Sequence, residues 1–321
     1  MLIEFAQKLN TLGSNHEPFF FVIDYKAEQF YVSPLSSLPD DIFYQLETMR
    51  NAASTQKLPS FSWHKIFPEK ESYSAKVEAV IEEIKAGNTY LLNLSAPTRV
   101  EGLSYSLKEL FCAANAPFKL CFQEQFACFS PERFVKIEEC VISTYPMKGT
   151  IDASLPNAKE RILTDEKEKA EHVMVVDLLR NDLSMVAREI NVEQFRYVQS
   201  IRAGKKELLQ VSSKITGKLE EDWHAHIGNI ISKLLPAGSI SGTPKRKSIE
   251  IIEAIEGYER GFFTGIFGVY DGRSLDSAVM IRFLEKTDAG YVFKSGGGIT
   301  LLSDASKEYD ELCDKVYVPV F

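Results

Sequence analysis

Three kinds of residue in this chain have the type and spacing to do chemistry. Glu168 and Glu171, in "EKAEHVMVVDLLRNDL", are three apart in a segment with helical periodicity, as are Glu308 and Glu311 in "KEYDEL". Carboxylates at i and i+3 share one helix face and can meet a common cation. All four donors are hard oxygens, which suits Mg²⁺ better than zinc or copper. Helical i,i+3 glutamates are common, and a solvated acidic face is the more frequent explanation of either pair taken alone. Lys148, in "YPMKGT", ends a run of alternating apolar residues just before a Gly-Thr pair. A lysine there ordinarily keeps a sheet edge from pairing, but an amine held out of water is also a nucleophile.

In "AGSISGTPKRKS", Gly238 and Gly242 bracket small residues, Thr243 is a candidate cap, and Pro244 suits the first position of the next helix. Exposed N–H groups at such a helix start make an anion pocket. The spacing is not that of a phosphate-binding P-loop, because the two glycines are four apart and a proline precedes Lys245. A carboxylate ligand is therefore expected. "SGGGIT", at 295–300, lets backbone come close to a ligand, and "MIRFL" presents Arg282 in an otherwise apolar strand. A buried arginine more often answers a structural carboxylate than a substrate.

The elements that must position these groups follow from periodicity. "SYSAKVEAVIEEIKAG" puts Val77, Val80, Ile81 and Ile84 at helical spacing and closes on Gly87, a C-terminal stop. "KLCFQ", "FACFS", "RFVKIE" and "VISTY" read as one antiparallel meander ending at Lys148. "FFTGIFGVYDG", "SLDSAVMIRFLEK" and "GYVFKSGGG" read as a second. Helices are predicted over about 158–187, 224–234, 244–255 and 305–316. Runs of strands alternating with runs of helices imply an α+β fold, two antiparallel sheets packed together with helices outside. No repeat, low-complexity tract or linker marks a boundary, so one domain over 1–321 is expected, with 1–73 a shortened N-terminal layer.

The 321 residues are 45% hydrophobic and 26% charged, enough to bury a large core. A net charge of −8, with a pI near 5.4, argues against nucleic acid or an acidic membrane as partner. The start of the chain lacks a secretory pattern and no long apolar run is present, so a cytoplasmic location is expected. Five cysteines without a C-x-x-C pair support neither a disulfide framework nor a zinc site.

Taken in order, "FSPERF", "PMKGT", "EHVMVVDLLRNDL", "GSISGTPK", "RGFFTGIFG", "MIRFL" and "GGGIT" followed by "SDASKEYDEL" resemble the motifs of the chorismate-utilising enzymes. The likeness runs from about residue 74 to the C-terminus. Within that family the third residue of P-x-x-G-T is generally Ala in anthranilate, isochorismate and salicylate synthases and Lys in the aminodeoxychorismate synthase large subunit; here it is Lys148. Relatives that add water to the ring carry a lysine where this chain has Leu91. The resemblance thus implies amination of chorismate at C4, giving 4-amino-4-deoxychorismate on the route to p-aminobenzoate and folate.

It also implies roles. Lys148 would add to C2 of the ring and be displaced when ammonia attacks C4. Glu132 would protonate the departing C4 hydroxyl. Glu168, Glu171, Glu308 and Glu311 would cage Mg²⁺, while Thr150, Gly242, Thr243, Arg282, Gly297 and Lys315 match substrate-holding positions. A nucleophilic lysine must be neutral, and at a reference pKa of ~10.4 only about 0.04% is neutral at pH 7. Gln210 stands where many relatives have His, and Phe263 where many have Tyr. The chain ends shortly after its last predicted helix and shows no G-x-C-x-G nucleophile elbow, so ammonia is expected from a separate glutamine amidotransferase. Two other readings stand beside this one: anthranilate synthase component I, disfavoured by Lys148 and Gln210, and a non-catalytic chorismate-binding or scaffold subunit, disfavoured by the costly converging carboxylates.

Overall fold

The computed structural model describes residues 1–53, 58, 63–203 and 206–320; Phe321 and the residues between these ranges lie outside the description. Where the sequence leads one to expect a single domain, the chain divides into two compact units, each assembled from three segments. The first holds Met1–Leu38, Glu132–Ser239 and Gly265–Val279; the second holds Pro39–Pro131, Ile240–Thr264 and Met280–Phe321. Strand pairing between segments far apart in sequence builds each unit, and such pairing leaves no linker composition to read. The expected layer over 1–73 is shared between the two.

The first unit is built on an antiparallel sheet. Its strands run in the order Met147–Asp152, Lys206–Lys218, Val141–Thr144, Arg133–Glu138, Leu275–Val279, Ile266–Tyr270, Phe19–Ile23, Phe30–Pro34. Arg188–Ala203 pairs with Lys206–Lys218 to form a long hairpin. The strands "FFFVI", "IFGVY" and "LDSAV" are buried throughout, so both faces of the sheet are covered there, and the buried Asp276 of the last is answered by Arg133. The N-terminal residues therefore supply an inner strand rather than a thin covering layer.

One helix predicted over 158–187 is two, Ala158–Thr164 and Glu166–Ser184. Asp165 leaves helical geometry between them, and its carboxylate accepts from the Glu168 N–H at 2.9 Å. Such a cap contributes about 1 kcal/mol and starts the second helix afresh. A single non-helical residue inside a continuous amphipathic pattern leaves no mark on the periodicity.

The second unit has its own antiparallel sheet, in the order Gly242–Thr243, Leu91–Glu101, Gly290–Ile299, Phe283–Thr287, Phe126–Ser130, Phe118–Phe122, Ile42–Leu46, Met49–Arg50, with His64–Ile66 beside Leu91–Glu101. The helix Lys70–Lys85 buries Tyr73, Val77 and Val80 against Leu92, Leu94, Ile251, Ile252 and Leu312. It ends where expected, with Gly87 at φ +77°, a conformation that costs a residue with a Cβ about 1 kcal/mol or more.

Both predicted meanders are corrected. "KLCFQ" and "FACFS" pair with each other in the second unit, whereas "RFVKIE" and "VISTY" pair in the first. Pro131 stands between them, and a residue without an N–H cannot continue a ladder. "SLDSAVMIRFLEK" is likewise two strands, Leu275–Val279 and Phe283–Thr287. Arg282 lies in the break at φ +52°, not within a strand. Alternation of apolar residues reports that a strand is half or wholly buried, not which sheet receives it.

Candidate active site

Lys148 lies on Met147–Asp152, a strand at the end of its sheet's order. The bland expectation for a lysine there was a solvated edge charge. Its side chain is instead only 24% exposed, with Nζ 3.7 Å from Oε2 of Glu171, itself 11% exposed. A bulge makes this possible. Met147 pairs with Ser212 and Thr150 with Gln210, so Lys148 and Gly149 together face the single residue Val211. An extra residue re-aims the side chains around it. Gly149 takes φ +85°, and a methyl there would come within 3.2 Å of Glu168 Oε2 and 3.5 Å of Ile162 Cδ1. The sheet thus brings Lys148, Glu168 and Glu171 together within the first unit.

The helix carrying both glutamates is keyed to the sheet by the next residue. His172 is fully buried, and its Nε2 lies 2.7 Å from Ser213 Oγ, which also accepts from the Arg196 N–H at 2.9 Å. The other ring nitrogen, Nδ1, is buried without a hydrogen-bond partner. Burial first, then the Arg196 and Lys148 cations, holds the imidazole down to about 4. The Arg196 guanidinium donates to the Leu163 and Ile162 carbonyls at 2.9 and 3.2 Å, tying in the preceding helix.

Glu132 belongs to the same unit. Its Oε1 accepts a hydrogen bond from Ser239 Oγ, and its carbonyl accepts from the Val279 N–H at 3.1 Å. Both side chains line a cavity with Tyr145, Asp182 and the apolar residues Phe134 and Leu179. Thr150 is exposed opposite Gln210, whose Oε1 is buried without a partner.

In the second unit Gly297, Glu308, Glu311 and Lys315 converge. A Cβ on Gly297 would lie 3.4 Å from Glu311 Oε1 and 3.5 Å from both Glu308 Oε2 and Lys315 Nζ. Lys315 Nζ is 2.5 Å from Glu311 Oε1 and donates to the Gly296 carbonyl at 2.8 Å. Glu308 is buried. Arg282 stacks its guanidinium 5.4 Å over the Tyr317 ring, with Nε buried and unpartnered. Leu91 is buried, so no base occupies that position.

The cap expected at Thr243 is corrected. Gly242 and Thr243 pair as a two-residue strand with Leu92 and Leu91, and the N-cap of the helix Lys245–Glu256 is Pro244, without a side-chain cap bond. The Thr243 carbonyl is used by the Tyr90 N–H at 2.9 Å and Thr89 Oγ1 at 3.0 Å. Strand pairing holds Thr243 in extended backbone, with Pro244 between it and the helix. At Gly242, φ is +137° and a Cβ would fall 2.2 Å from the Leu91 carbonyl oxygen, so only glycine fits.

Each carboxylate pair combines one buried glutamate, Glu171 or Glu308, with one less buried, and each stands beside a lysine. Among the described residues no three His, Cys, Asp or Glu side chains are gathered to hold a metal. The donor chemistry, carboxylate oxygens alone, fits a hard divalent cation. Sequence reasoning missed His172, Ser213 and Ser239. His172 and Ser239 stand inside quoted motifs, but their partners lie 41 and 107 residues away.

Solved structures share this architecture. The menaquinone-specific isochorismate synthase of Escherichia coli superposes with a TM-score of 0.71 at 15% identity, over 98% of this chain and 80% of that one. Anthranilate synthase component I of Streptococcus pneumoniae gives 0.66 at 24% identity, over 82% and 60%. By sequence, a PabA-like protein of Pasteurella multocida is 47% identical over 98% of both chains, and one of Haemophilus influenzae is 48% identical over 98% of this chain and 96% of that one. Aminodeoxychorismate synthase component 1 of Escherichia coli is 32% identical over 77% of this chain and 56% of its own length. The chain belongs to the chorismate binding enzyme family, which matches residues 5–320. It is an enzyme acting on chorismate, related to aminodeoxychorismate synthase. Among the described residues no helix is long and apolar enough to cross a membrane.

Proposed function

We propose that this enzyme aminates chorismate at C4 to 4-amino-4-deoxychorismate, in the cytoplasm, on the route to p-aminobenzoate and folate. Ammonia comes from a partner glutamine amidotransferase. The observation that carries the reading is Lys148, turned by the bulge at Lys148–Gly149 into the group that holds Glu168 and Glu171. A lysine serving only a sheet edge needs neither the bulge nor the partial burial.

In the first step the Lys148 Nζ–C2 bond forms while the C4–O bond breaks, and the hydroxyl leaves as water with the proton that Glu132 supplies. In the second, ammonia bonds to C4 and Lys148 departs from C2, returning the free amine. The two glutamate pairs are the proposed Mg²⁺ ligands; the ion, when bound, offsets carboxylate charge that would otherwise repel a dianionic substrate. Gly297 leaves backbone open beside Lys315, whose cation suits a substrate carboxylate, and Arg282, Thr150, Gly242 and Thr243 are the remaining proposed contacts.

Incubation with chorismate, Mg²⁺ and ammonium, with the product read by mass, tests this. The expected product has one hydroxyl replaced by an amine and keeps its pyruvyl group. Fluorescent anthranilate would mean the other amination, and unchanged chorismate would mean a binding subunit.

A further inference from the structure

We propose that Ser239 is the positioning residue of the general acid: it decides which oxygen of Glu132 carries the proton and stabilises the carboxylate left when that proton is given up. This rests on the reading of Glu132 as the acid. The Ser239 hydroxyl has one hydrogen, and it is directed at Glu132 Oε1. An oxygen that accepts this bond is not the one that donates, so the transferable proton belongs on Oε2. Once it has left, the same bond becomes charge-assisted, which shortens and strengthens it. Ser239 thus favours the ionised product of proton donation over the loaded acid.

The surroundings hold this pair in register. At Gly238 a Cβ would lie 2.7 Å from Asp182 Oδ2 and 3.1 Å from Leu178 Cγ, so the backbone entering Ser239 rests directly on the Glu166–Ser184 helix. That helix also carries Glu171. On the other side the Glu132 carbonyl is bonded to Val279, and Arg133 grips Asp276 through two bonds of 2.8 and 3.0 Å. The charged and titratable groups lining the same cavity are Arg133, Asp182 and Tyr145. Arg133 is answered by Asp276, and Asp182 packs against Gly238. The hydroxyl of Ser239 bonds directly to Oε1 of the acid.

The test compares Ser239→Ala, Ser239→Thr and Ser239→Cys with the native enzyme in two ways. In the pH dependence of kcat with chorismate and ammonium, the limb on which activity falls as Glu132 ionises is expected to move up by about one pH unit in Ser239→Ala, with a tenfold or greater loss of kcat. Ser239→Thr, which keeps the hydroxyl, should restore both. A second readout needs no turnover: the carboxyl carbon of Glu132, labelled with ¹³C and assigned through Glu132→Gln, is titrated by NMR. Its midpoint should rise in Ser239→Ala and in the nearly isosteric Ser239→Cys, a weak donor, and return in Ser239→Thr. An unmoved Glu132 midpoint in Ser239→Ala and Ser239→Cys, whatever happens to the rate, overturns the proposal. A native enzyme that fails to aminate chorismate overturns the functional reading instead, and the titration still reports on Ser239.

Discussion

Lys148 Nζ and Glu171 Oε2 stand 3.7 Å apart, joining the proposed nucleophile to a proposed metal ligand. They come from elements 23 residues apart, an edge strand and a helix, and they meet because one bulge turns the strand and one buried histidine fixes the helix. Attack on C2 requires the neutral amine, so Lys148 Nζ must be without its extra proton when that bond forms.

Lys148→Ala and Lys148→Arg should each lower the rate of amination at least a hundredfold. Arginine keeps the cation but is too basic to attack. Alanine recreates the motif of the anthranilate synthases, so slow direct amination can survive in that variant. The decisive measurement omits ammonia and seeks, by mass spectrometry, an adduct on the peptide bearing Met147, Lys148 and Gly149 after quenching with chorismate and Mg²⁺. Lys148→Arg at the native rate, with no adduct trapped on the native chain, would reduce Lys148 to a positioned charge.

Activity should require Mg²⁺. Glu168→Gln or Glu311→Gln should raise the concentration giving half-maximal rate at least tenfold, since each removes a carboxylate from its pair. Full turnover in excess chelator is the result that excludes this.

Ammonium salts should support turnover by the isolated chain, and glutamine should do so only when a partner amidotransferase is added. Product formation from glutamine by the chain alone would refute the division of labour.

Folding should weaken in mild acid through His172. Its folded value is held at about 4, against 6.5 for an unperturbed imidazole, chiefly by burial. Between these values the unfolded chain binds more protons, so stability rises with pH in that window. The contribution is complete above about pH 6.5 and lost as pH falls to 4, by about 3 kcal/mol at most. Melting temperatures at pH 7 and pH 5 should converge in His172→Gln relative to the native chain; equal pH sensitivity in both would show that another group is responsible.

The sequence by itself determined the parts whose physics is local. The helix Lys70–Lys85 and its glycine stop, the helices Lys245–Glu256 and Ala305–Asp314, and the i,i+3 spacing of both glutamate pairs depend on residues within a turn or two of one another. Ordered motifs carried the family as well. What it left open was set by contacts between distant segments. Which sheet receives each strand depends on pairing across tens of residues, and period-2 alternation is the same for either sheet, so each predicted meander became strands of two sheets. Arg282 moved out of a strand because the chain changes sheets there. The environment of Lys148 came from an unequal count of residues on two paired strands, visible only once Met147 meets Ser212 and Thr150 meets Gln210. The hydrogen bonds between His172 and Ser213 and between Ser239 and Glu132 join residues that no local pattern relates, and only the tertiary packing of the first unit brings them within reach.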